Sequence, residues 1–183
     1  AVTRGLRRGR TKPISLSRKR EIALPRPAYI LVHPGSLAAH VGGPARDEAI
    51  RELEHHDGPL IVIDGFLSDK TAPYDDRLRT AFEATEAKGE FAIRMWGCDA
   101  GERPFNGWQG YASPGVAIDL VHSDQQQAAQ FLAPILRSRD AILSGAWATY
   151  DGSSGCVNSV GQSLLRARWP GSYSLSGTAL FEE

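Results

Sequence analysis

Apolar residues recur along this chain with two different periods. Ala28–His33 (AYILVH), Leu60–Asp64 (LIVID), Phe91–Trp96 (FAIRMW) and Ala141–Ala148 (AILSGAWA) are short, mostly apolar runs of strand length. Between them the spacing changes to that of a helix face. Ala45–His56 carries Ile50 and Leu53, a segment starting at Thr71 or Tyr74 carries Leu78, Ala81 and Phe82, and one capped by Ser123 or Asp124 carries Phe131, Leu132, Ile135 and Leu136 up to Arg137. Val157, Val160, Leu164 and Leu165 repeat the pattern after Asp151-Gly152-Ser153-Ser154-Gly155. Val116–Val121 alternates as a half-exposed strand should, and Tyr173–Phe181 supplies a last strand, with a bend expected at Gly177.

Strands that are apolar along their whole length need cover on both faces, as in a parallel sheet flanked by helices. The alternation of strand and helix therefore predicts a three-layer α/β fold. Its sheet should be mainly parallel, Rossmann-like or flavodoxin-like, with helices on both faces. Pro134 is expected to kink its helix. The segment Ala100–Gly115, AGERPFNGWQGYASPG, is too long for an ordinary connection and reads as a lid or docking loop.

Composition changes this picture at one end. Residues 1–27 hold nine basic side chains against Glu21 alone, a net +8, and the remainder holds twelve basic against twenty acidic, a net −8. Five Gly and Pro residues interrupt that stretch, and it has no helical period. The expected organisation is a basic extended arm (1–27) on a single α/β domain (28–183). Arg7, Arg8, Arg10, Arg18, Lys19 and Arg20 form its densest part, suited to nucleic acid backbone, an acidic protein partner or self-association. The arm has no aromatic residue, so any nucleic acid contact would be to phosphates rather than bases. No apolar run reaches membrane-span length, and none follows the early charges as in a secretory signal. A soluble, cytoplasmic chain with no membrane partner is the expectation.

In a parallel sheet, ligands bind beyond the carboxyl ends of the strands, and the residues there are polar. His33 and Ser36 follow the first run, Asp64 ends the second, Cys98 and Asp99 follow the third, and Tyr150, Asp151, Ser153, Ser154 and Cys156 follow the run at 141. A strand that turns through glycines into a helix leaves N–H groups facing an anion. Cys156, in the first turn of that helix, is the candidate nucleophile, His33 the base and Asp64 the group that orients it. Ser36, Asp99, Tyr150, Asp151, Ser153 and Ser154 would bind substrate.

Other chemistries find less support. The patterns G-x-G-x-x-G, G-x-x-x-x-G-K-[ST], C-x-x-C and H-E-x-x-H are absent, and no cofactor is implied. Gln162 occupies the position six after Cys156 where a cysteine phosphatase needs arginine, and Arg103 follows Cys98 one residue too early. His33, Asp64, Asp99 and Asp151 lack a compact metal-ligand spacing, so no metal is expected. Cys98 and Cys156 are too few for a disulfide scaffold. Two functions remain open: a small enzyme, such as a hydrolase, acting on a phosphate- or carboxylate-bearing substrate, or a non-catalytic component of an assembly that works through its basic arm.

Overall fold

The computed structural model describes residues 24–39, 43–64, 76–96, 108–112, 116–120 and 125–182. In chain order they form β1 (Ala28–Val32), α1 (Pro34–Ala39), α2 (Pro44–His55), β2 (Leu60–Asp64), α3 (Asp76–Lys88), β3 (Ala92–Trp96) and β4 (Trp108–Ala112). β5 (Val116–Leu120), α4 (Gln125–Leu136), β6 (Ala141–Thr149), α5 (Cys156–Arg166) and β7 (Tyr173–Phe181) complete the sequence of elements.

Five of the strands make one parallel sheet in the order β3-β2-β1-β6-β7. The chain winds outward from β1 through β2 to β3, returns to the other side of β1 as β6, and winds outward again to β7. This is the Rossmann order; in the flavodoxin order the chain reverses after a single outward strand instead of two.

Winding in two directions puts the helices on opposite faces. Tyr29 and Leu31 of β1 pack with Leu37 of α1, Ala49, Ile50 and Leu53 of α2, and Leu78, Ala81 and Phe82 of α3. Ala28, Ile30 and Val32 face the other way, against Ala129, Leu132, Ala133 and Leu136 of α4 and Val157, Val160 and Leu164 of α5. Every residue of β1 is buried, because alternate side chains enter separate cores. This is the physical reason the strand runs read as continuously apolar. Each large aliphatic side chain so buried stabilises the fold by roughly 1.5–3 kcal/mol before the entropy of ordering is subtracted.

One detail differs from expectation. Trp108–Ala112, read as part of a long loop, is a strand pairing antiparallel with Val116–Leu120, so the two form a hairpin outside the main sheet. Its Gly110 and flanking glycine and proline residues masked the alternation. Pro134 lies in the last turn of α4, where Arg137 N–H still reaches Ala133 O at 3.0 Å. The expected helix start at Thr71 or Tyr74, the cap at Ser123 or Asp124, the rest of the 98–115 segment and the arm through residue 23 lie outside the described residues. Among the described residues, no helix is long and apolar enough to cross a membrane.

Candidate functional site

The reversal of winding occurs between β1 and β6. Their carboxyl ends are neighbours, yet the connections that leave them run to opposite faces, the position at which open α/β sheets generally have their ligand crevice. β1 stops at Val32, paired with Gly145. β6 continues to Thr149, where its neighbouring strand is β7, through Ala148↔Leu180 and Thr149↔Phe181. The register between β6 and β7 shifts on either side of Gly145, and Gly145 and Trp147 have positive φ values of 131° and 52°. Trp147 meets Phe181 edge-on at 6.2 Å between ring centroids.

His33 forms the low wall of this crevice. It has a φ of 49°, donates its N–H to Ile63 O of β2 (2.8 Å) and accepts Leu37 N–H (3.0 Å), which starts α1. Only 4% of its surface is exposed. Asp64 ends β2 on the same edge, paired with Trp96 of β3.

The high wall is the turn from Tyr150 to Gly155. Asp151 Oδ1 accepts both the N–H (3.0 Å) and the hydroxyl (2.7 Å) of Ser153. Thr149 Oγ1 accepts Ser154 N–H (3.0 Å), Thr149 O accepts Gly152 N–H (3.1 Å), and Ser154 O accepts Thr149 N–H (3.1 Å). Asn158 Nδ2 donates to Ser154 O (2.9 Å). Gly155, at φ 104°, lies against Trp147 O and Ala148 Cα, where a Cβ would overlap both, so only glycine lets α5 start this close to β6.

This arrangement sorts the turn residues. The N–H groups of Gly152, Ser153 and Ser154 are engaged within the turn itself. Those of the first turn of α5 lie ahead of the helix's own ladder, whose bond from Ser159 N–H to Gly155 O spans 2.9 Å. Hydrogen bonds from the Thr149 hydroxyl, and then from the Ser153 N–H and hydroxyl, pull the Asp151 carboxyl down to about 2. Asp151 is therefore charged at neutral pH, and its own negative charge faces solvent.

Cys156 opens α5, half-buried against the core that contains Val157, Val160 and Leu164. His33 and the 150–156 turn thus share one sheet edge with the end of β2, whereas Asp99 and the side chains of Ser36 and Asp64 lie outside the described residues. Tyr150 is 70% exposed beside the turn. Thr149 and Asn158, which the sequence reading did not single out, are the residues that hold the turn. A threonine closing a strand and an asparagine in the first helical turn, both bracketing Ser154, are the signal for that pairing. Among the described residues, no group of three or more His, Cys, Asp or Glu side chains is placed to hold a metal ion. Compared with protein-family models, curated proteins and solved structures, the chain matches none.

Proposed function

We propose that this chain is a small α/β enzyme of the hydrolase type. It binds a phosphate- or carboxylate-bearing small molecule in the crevice between the ends of β1 and β6. The observation that carries this reading is the reversal of winding at β1 and β6, which opens a crevice flanked by His33 on one side and the start of α5 on the other. The ligand's anionic group lies at the first turn of α5, where backbone dipoles favour negative charge. Asp151, Ser153 and Ser154 contribute by fixing the turn, because their polar groups are engaged with one another and with Thr149.

In the catalytic step Cys156 Sγ attacks an electrophilic carbon of the substrate. His33 takes the thiol proton and returns it to the leaving group, and water then cleaves the covalent intermediate. Asp64 orients His33, and Ser36, Asp99 and Tyr150 contact the substrate.

The test is a titration of the full chain with inorganic phosphate, citrate and a nucleoside monophosphate, followed by amide NMR. Shifts at Gly155–Asn158 together with His33 are expected, accompanied by a rise in Tm. Shifts confined to other surfaces would overturn the site. Loss of turnover in Cys156→Ser with ligand binding retained supports the nucleophile; retained turnover removes it.

A further inference from the structure

At the edge where the strands begin, opposite the crevice, three separate stretches of chain meet. Residues 25–27 lead into β1, Glu90 and Phe91 precede β3, and residues 137–139 join the end of α4 to β6. Arg139 ties them together. Its backbone N–H donates to Leu136 O (3.1 Å), its Nη1 to Arg26 O (2.6 Å) and Glu90 Oε2 (3.0 Å), and its Nη2 to Glu90 Oε1 (2.9 Å). Only 13% of its side chain is exposed.

These stretches surround a cavity of about 490 Å³, within the roughly 300–1,000 Å³ usual for small-ligand sites. Pro25, Phe91 and Ile135 give it apolar walls, and Phe91 and Ile135 are only half-buried against the core. Its charged residues are Arg137, Arg139 and Glu90, two positive against one negative. Of the charges just beyond, Arg26 is paired with Asp57, and Asp140 accepts the N–H and hydroxyl of Ser172. The lining therefore carries an excess of one positive charge.

The bonds of Arg139 leave a particular part of its guanidinium unused. Nη1 spends both of its hydrogens and Nη2 one, so that Nε–H and the second Nη2 hydrogen remain without an acceptor among the described residues. Those two donors lie side by side on one edge of the guanidinium plane, the fork that takes a carboxylate through two parallel bonds. Tying the three stretches together accounts for the bonds already made, and not for an open fork beside an apolar cavity with a positive excess.

We propose that this cavity binds a small carboxylate whose body is an apolar ring or short chain. The carboxylate lies in the free fork of Arg139, and Arg137 adds the charge that a monoanion balances. The apolar body packs against Phe91, Ile135 and Pro25. Glu90 is a positioning residue, because its two bonds hold the guanidinium in the plane that presents the fork. The site is separate from the crevice at the other edge of the sheet.

Titrating the full chain with phenylacetate, and with phenylacetamide as the uncharged control, tests this by proton–nitrogen NMR that includes the arginine Nε–H signals. Phenylacetate is expected to move the amides of Phe91, Ser138 and Arg139 together with the Arg139 Nε–H. It should bind about tenfold more tightly than phenylacetamide, the difference one charge-assisted hydrogen bond makes. Arg137→Gln should weaken binding severalfold, as should Arg139→Lys, which keeps the charge and loses the fork. Where Arg139→Lys unfolds the edge, the Nε–H response of the unaltered chain and the Arg137→Gln affinity decide. Equal binding of acid and amide would overturn the proposal, and so would shifts no larger than those from sodium chloride of equal ionic strength. Shifts confined to His33 and Gly155–Asn158 would assign the carboxylate to the crevice, overturning this site and leaving the crevice reading in place.

Discussion

Gly145 passes so close to Val32 that a Cβ on it would collide with the Val32 carbonyl oxygen. The contact lies where β1 ends and His33 turns away, so the two walls of the crevice are set by one backbone approach. Gly145 also sits at φ 131°, outside the range of L side chains. Gly145→Ala should therefore cost about 3 kcal/mol or more, lowering Tm by roughly 6–12 °C for a chain of this size. A circular-dichroism melt checks it, and a loss under about 1 kcal/mol would mean that the strands can part without penalty.

The turn that ends β6 should weaken in acid. Asp151 has a carboxyl held down to about 2, so its ionised form favours the folded turn above the ordinary carboxylate range, near pH 4. That contribution disappears as pH falls from about 4 towards 2, because the folded state must then take up the proton it had resisted. Carbon-detected NMR titration should give Asp151 the low midpoint. Thr149→Val should raise it, since the threonine hydroxyl is the first of its causes.

His56 predicts a second pH dependence in a milder range. Burial lowers its pKa, outweighing the upward pull of the Pro59 carbonyl and of Asp57 and Glu52, and Lys88 adds to the lowering. The folded state keeps the ring neutral while the unfolded chain protonates near pH 6.5, so stability present above that value declines as the pH drops. Tm measured between pH 7.5 and 5 should fall, and His56→Gln should flatten that slope. The ring bonds through Nε2 to Pro59 O at 3.0 Å, which the glutamine amide can imitate.

Tyr29 lies against His56 with ring centroids 5.5 Å apart, and its hydroxyl is buried. Ser144 is a polar neighbour, but its hydroxyl donates to Gly177 O at 2.8 Å, and the Tyr29 oxygen has no partner of good geometry. Burial, chiefly, pushes the phenol well above its usual range. Stability should decline once pH rises above about 10, where the unfolded chain ionises first. Tyr29→Phe removes an unsatisfied oxygen and should change stability by less than about 1 kcal/mol, while Tyr29→Ala should cost about 3–5 kcal/mol. Equal losses in the two variants would show that the hydroxyl is bonded.

The fold was legible where one physical rule acted alone. β2 was read to the residue, because LIVID is short, apolar throughout and bounded by Gly58-Pro59 and Gly65. α5 was read from Val157, Val160, Leu164 and Leu165, of which the first three are buried while Leu165 is 44% exposed. β4 was not, because a strand such as WQGYA takes its stability from its partner Val116–Leu120, and its own residues announce a turn as readily. At the site, the strand-end position of His33 and of the 150–156 turn followed from topology. The inward bonding of Asp151, Ser153 and Ser154 did not, since it depends on Thr149 and Asn158 closing around a carbonyl that only the folded backbone brings between them.

The sheet edge has a step in it. β6 stands four residues above β1, from Ala146 to Thr149, braced on one flank by β7 and with no main-sheet strand of β1 on the other. Successive residues rise about 3.3 Å, so this overhang is on the order of 13 Å, comparable to the length of a mononucleotide-sized molecule. On the proposed function, a molecule bound at this step lies over the lower β1 rim, between His33 and the start of α5, and the height of the step bounds its length along the strand direction.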